Sequence, residues 1–96
     1  MHFLLRARAL VAFPGGYGTL DELFEALNLL QSHEIRPMPI VLVGAEYWKR
    51  TVDLDYLVTE GLIDDADRKL VRIVESGEAA AEIVLSNARP AMESLK

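Results

Sequence analysis

Ala9-Leu10-Val11-Ala12-Phe13 is an unbroken apolar run that stops at Pro14-Gly15-Gly16, and from Leu20 the sequence changes its period. A short, wholly apolar segment ended by turn residues reads as a strand buried on both faces, as in a parallel sheet. Leu20, Leu23, Phe24, Leu27 and Leu30 then recur at three- and four-residue steps, the apolar stripe of a helix. Asp21, Glu22, Glu25, Asn28 and Gln31 lie off that stripe. Thr19 is placed as an N-cap, and Glu22 three residues on completes a capping box. The helix is expected to end near His33, ahead of Arg36-Pro37. A strand feeding a capped helix through a glycine turn restricts the fold more than any other feature here.

The rest of the chain repeats the alternation. Pro39-Ile40-Val41-Leu42-Val43-Gly44 reads as a second buried strand with a glycine stop. Residues 46–59 read as one helix, with Tyr47, Trp48, Val52, Tyr56 and Leu57 as packing candidates. Gly61-Leu62-Ile63-Asp64-Asp65 reads as a turn, and Leu70-Val71-Arg72-Ile73-Val74 as a third strand. Ser76 is placed to cap a last helix over 78–86, and residues 3–8 resemble the end of a preceding one. This order predicts an α/β fold, a three-layer Rossmann-like parallel sheet with helices on both faces. Residues 1–88 are expected to form the C-terminal half of a nucleotide-binding domain, shortened on its N-terminal side, and residues 89–96 a flexible tail. The Leu23/Phe24/Leu27/Leu30 stripe needs a cover, and self-association through helices is the expected one.

Composition removes several function classes. The net charge of −5 opposes the polyanionic backbone of nucleic acids. There is no cysteine, so disulfides and thiolate zinc sites are excluded. His2 and His33 are isolated, without the partners of a metal site or a triad. No apolar run reaches membrane-spanning length. The first residues do not read as a signal peptide, and a cytoplasmic protein is expected.

The chemistry sits in the glycine turn. Ligands of open parallel sheets bind beyond the carboxyl ends of the strands. Gly15, Gly16 and Gly18 let the backbone approach a ligand closely. Thr19 adds a hydroxyl, and the helix start offers unpaired N–H groups and a positive dipole end, which together suit a phosphate. The turn lacks the Gly-Lys-Ser/Thr of a P-loop and the spacing of the dinucleotide fingerprint. Glycines can serve a tight turn alone, but three glycines, a proline and a helix start at one junction favour binding. Glu22 has two readings. Its carboxylate can cap the helix, or it can point over a ligand whose phosphate rests on the turn; the spacing does not choose.

Pro14-Gly15-Gly16-Tyr17-Gly18-Thr19-Leu20-Asp21-Glu22 resembles the Pro-Gly-Gly-x-Gly-Thr-x-x-Glu signature of the LOG (Lonely Guy) family, formerly labelled lysine decarboxylase. The likeness continues through Phe24-Glu25-Ala26-Leu27, the strand at Ile40, Tyr47-Trp48 and Glu60-Gly61-Leu62-Ile63. Members are phosphoribohydrolases that cleave the N-glycosidic bond of a cytokinin riboside 5′-monophosphate and act as dimers. The resemblance implies that Gly15, Gly16, Gly18 and Thr19 hold the 5′-phosphate of an AMP-like ligand, and that Glu22 is the catalytic carboxylate. Bond cleavage builds positive charge on the ribose, which a carboxylate can stabilise, or it can activate water. No cofactor or metal is implied.

The decarboxylase label fits poorly. Pyridoxal phosphate enzymes hold their cofactor on a lysine, and Lys49, Lys69 and Lys96 all lie far along the chain from the turn. The family's second signature, an Arg-Lys pair on the helix before the motif strand, has no counterpart ahead of the motif here. Arg6 and Arg8 are read as solvated charges at a helix end. Weak hydrolysis by this chain alone is therefore expected. The alternative function is a non-catalytic carrier of a nucleotide or a phosphorylated cofactor of the molybdenum-cofactor type.

Overall fold

The computed structural model describes residues 8–94, with side chains through Asn87. The elements are β1 (Leu10–Ala12), α1 (Tyr17–Gln31), β2 (Ile40–Val43), α2 (Ala45–Thr51), α3 (Leu54–Thr59), α4 (Asp65–Arg68), β3 (Val71–Val74) and α5 (Gly77–Ser94). The three strands form one parallel sheet in the order β1-β2-β3. Leu10 pairs with Ile40, and Ile40 with Val71, so the strand ends are level. The helix end expected over 3–8 falls outside the described residues except for Arg8.

Alternation along β2 builds the layers. Ile40 and Leu42 join Leu23, Ala26, Leu30, Trp48 and Leu54 in one cluster. Val41 and Val43 face the other way, onto Ala80 and Ile83 of α5. Helices therefore cover both faces, the expected three-layer arrangement. β2 is buried at every position, but β1 is not: Leu10 and Val11 are only half-buried. The expectation of two buried faces fails for β1, which among the described residues has one strand neighbour. The expected uncovered stripe is also corrected. Leu23 and Leu30 are buried against the chain's own sheet, and Phe24 is its exposed member.

Several boundaries differ for identifiable reasons. α1 begins at Tyr17 with Gly16 as N-cap, since the Leu20 N–H already bonds the Gly16 carbonyl at 3.1 Å. Thr19 is thus inside the first turn, and neither it nor Glu22 caps the helix through its side chain. The expected capping box is absent. The single helix expected over 46–59 is two: Val52 is extended, and Asp53 caps α3 by accepting the Tyr56 N–H at 3.0 Å. Trp48 is fully buried, whereas Tyr56 is exposed and does not pack as expected. The turn at 61–65 gives way to the short α4, whose Arg68 bonds Asp55 and the Val71 carbonyl, both at 2.9 Å. Ser76 does cap α5, accepting the Ala79 N–H at 3.1 Å. That helix runs past the expected 86 to Ser94.

α1 ends in a Schellman motif: Glu34 N–H bonds the Leu29 carbonyl at 3.0 Å, and His33 N–H bonds the Leu30 carbonyl at 3.2 Å. His33 occupies the left-handed region at φ 61°, a position that favours glycine. α3 ends in the same way with Gly61 at φ 74°. Replacing His33 with glycine should therefore stabilise the domain by about 0.5–1 kcal/mol, the penalty of about 1–2 kcal/mol that a side chain carries there less the roughly 0.5–1 kcal/mol of extra conformational entropy that glycine loses on folding. Thermal denaturation followed by circular dichroism would register this as a higher Tm.

Candidate functional site

The strand ends converge on the glycine turn. β1 is left at Phe13, β2 at Gly44 and β3 at Glu75, so three loops emerge at one edge of the sheet. A cleft of about 230 Å³ runs along β1, lined by Leu10, Val11, Ala12, Phe13, Pro14, Thr19, Glu22 and Leu23. Thr19 and Glu22, expected in one site, are on one wall of it, a turn of helix apart. Gly15, Gly16 and Gly18 do not line the cleft. They are exposed and form the turn between its lining residues Pro14 and Thr19.

The three glycines serve different needs. A Cβ on Gly15 would lie 2.2 Å from the Thr19 Oγ1 and 2.9 Å from its Cβ, so Gly15 is required for Thr19 to fold back over the turn. A Cβ on Gly16 or on Gly18 would meet nothing within 4 Å. No neighbour among the described residues demands a glycine at either place. Both lie where α1 presents the unpaired N–H groups of its first turn.

The turn is held from the β2 side. The Tyr47 hydroxyl donates a hydrogen bond to the Gly15 carbonyl. Gly44 is in the left-handed region at φ 100°, and a Cβ there would be 3.2 Å from the Pro14 ring. Tyr47 stands edge-on to Trp48, with ring centroids 4.8 Å apart at 85°. The buried Trp48 indole donates to the Val43 carbonyl at 3.0 Å. The Glu75 carboxylate accepts the Ala45 N–H at 2.7 Å, which fixes the start of α2. The sequence marks Tyr47 only as a packing residue. Its link to the turn follows from the adjacency of β1 and β2.

A second groove of about 230 Å³ lies elsewhere, between α1, α3 and α4, and is mainly apolar, with Phe24, Leu27, Leu54, Leu57 and Ile63 among its walls. Lys49 and Lys69 line neither this groove nor the cleft at the turn. Among the described residues no three His, Cys, Asp or Glu side chains converge as metal ligands. Among them, too, no helix is long and apolar enough to cross a membrane.

A family model described as "Possible lysine decarboxylase" matches residues 1–84. The chain is similar to the cytokinin riboside 5′-monophosphate phosphoribohydrolase LOG of Oryza sativa subsp. japonica, with 38% identity over 81 residues, covering 82% of this chain and 32% of that protein. It is 36% identical over 80 residues to the Arabidopsis thaliana enzyme LOG7, covering 82% of this chain and 36% of the relative. Similarity to LOG4 of Arabidopsis thaliana extends over 91 residues at 35% identity, covering 91% of this chain and 40% of the relative. The chain thus spans about a third of the length of the first two curated relatives.

Proposed function

The chain belongs to the family described as possible lysine decarboxylase, the family of the LOG phosphoribohydrolases, and on that premise we propose that it binds a nucleoside 5′-monophosphate and cleaves its N-glycosidic bond with water, giving free base and ribose 5-phosphate. The observation that carries this reading is the pairing of Thr19 and Glu22 in one cleft beside a glycine turn whose Gly16 and Gly18 are sterically empty. In this reading the 5′-phosphate accepts hydrogen bonds from backbone N–H groups of Gly15, Gly16, Gly18 and Thr19, aided by the positive end of α1. Glu22, one turn further along α1, faces the ribose. Its carboxylate stabilises the positive charge that grows on the sugar as the bond to the base breaks, or takes a proton from the attacking water. The failed capping box supports this role, since the carboxylate is not engaged at the helix end. Self-association is proposed through the groove that contains Phe24, and sedimentation as a monomer at high concentration would remove that part of the reading.

Gly16→Val tests the phosphate site. A Cβ at this position meets nothing within 4 Å among the described residues, so the fold should persist with a loss of about 1 kcal/mol or less at the N-cap. It would stand between the turn and its ligand, weakening AMP binding about tenfold or more for each amide displaced from the phosphate. Calorimetric titration of both proteins with AMP reads this, and equal affinities would place the site elsewhere. Release of free base from AMP, followed by chromatography, tests the reaction itself.

A further inference from the structure

The glycine turn takes little of its shape from helix capping, since Thr19 and Glu22 make no side-chain cap. Its backbone is instead held by the start of α2. The Tyr47 hydroxyl bonds the Gly15 carbonyl, and Pro14 sits against Gly44. We propose that Tyr47 is a positioning residue that aims the Gly16 amide at the ligand phosphate, an inference that rests on the phosphate site proposed above.

The argument follows from one peptide plane. In a trans peptide the carbonyl oxygen and the following N–H point in opposite directions. Holding the Gly15 carbonyl against Tyr47 therefore turns the Gly16 N–H away from α2. A peptide between two glycines has few steric barriers to rotation, so without this bond it would sample several orientations. The tyrosine is itself well fixed. Its ring packs edge-on against Trp48, which is buried and bound to the Val43 carbonyl. The N-terminus of α2 is tied to the end of β3 by Gly44 N–H bonding the Val74 carbonyl at 2.8 Å and by Glu75 accepting the Ala45 N–H. Orientation thus passes from the β3 end through α2 to the turn, and the amide is set before the ligand arrives. Such preorganisation raises affinity by lowering the ordering cost of binding.

Tyr47→Phe removes the hydroxyl and keeps the ring. With ¹⁵N-labelled protein, the heteronuclear NOE of the Gly16 and Tyr17 amides is expected to fall in the variant, while those of Leu23 and Leu42 stay unchanged. The Tm should stay within about 5 °C, as suits loss of one exposed hydrogen bond. Titration with ribose 5-phosphate should give an affinity weaker by up to about tenfold. Unchanged NOE values at Gly16 and Tyr17 would overturn the inference. So would loosening spread over the whole chain with a large drop in Tm, because that marks a merely structural residue. Wild-type protein that fails to bind ribose 5-phosphate, with the turn still loosened in the variant, would overturn the phosphate reading and uphold the positioning by Tyr47.

Discussion

Glu22→Gln is expected to slow release of free base from AMP by about 100-fold or more, the scale of a lost acid–base or charge-stabilising group. The substitution keeps the shape and hydrogen-bonding reach of the side chain and removes its charge. Glu22 is exposed at the cleft and caps nothing, so stability should hardly change. The phosphate is held by backbone groups that the substitution leaves alone, so AMP affinity should remain within about twofold of wild type, well under the loss of one hydrogen bond. Single-turnover reactions with protein in excess make even slow cleavage measurable. Equal rates in the two proteins would remove Glu22 from the chemistry. Tight AMP binding with no base release from either would favour the carrier function over the hydrolase.

Trp48→Ala should have the largest effect on stability. Trp48 is fully buried at the centre of the main cluster, touches Tyr47 edge-on and donates its indole N–H to Val43. Truncating a buried tryptophan costs about 3–5 kcal/mol. Domains of this kind hold about 5–15 kcal/mol in total. Much of the population should therefore unfold at moderate temperature or low urea, as read by far-ultraviolet circular dichroism. Trp48→Phe refills most of the volume but leaves the Val43 carbonyl unpaired, so an intermediate loss of about 1–3 kcal/mol is expected. A cooperative transition for Trp48→Ala at the wild-type midpoint would show that the core does not depend on this residue.

The sequence discloses the architecture because its strands and α1 are marked by strong, unbroken patterns. The continuous apolar run of Ile40–Val43 matches β2 residue for residue, since a central strand is apolar on both faces. β1 carries the same signature yet has one strand neighbour among the described residues, and nothing local in Ala9–Phe13 encodes how many neighbours a strand has. The break between α2 and α3 is hidden because Trp48, Val52 and Tyr56 keep a four-residue spacing across it; only the cap made by Asp53 reveals it. The Thr19/Glu22 capping box is a true sequence match with the wrong geometry, because the flexible glycines allow the helix to begin at Tyr17.

The site shows the same division. The residues expected at the turn are consecutive, and the structure puts Thr19 and Glu22 on one cleft. Tyr47 and Gly44 were beyond sequence reasoning, for they reach the turn through strand order and not through spacing. His33 in a left-handed position was equally hidden, since glycine is the residue that normally signals it.

The central claim is that the glycine turn and the first turn of α1 bind the phosphate of a nucleoside monophosphate. The most direct test is a titration of ¹⁵N-labelled protein with AMP, followed through the backbone amide resonances. The account predicts saturable shifts centred on Gly15, Gly16, Tyr17, Gly18 and Thr19, reproduced by ribose 5-phosphate and moved by Gly16→Val to AMP concentrations about tenfold or more higher. Shifts confined to the groove around Phe24 and Leu57, or shifts at the turn that saturate at the same AMP concentration in Gly16→Val, would contradict it.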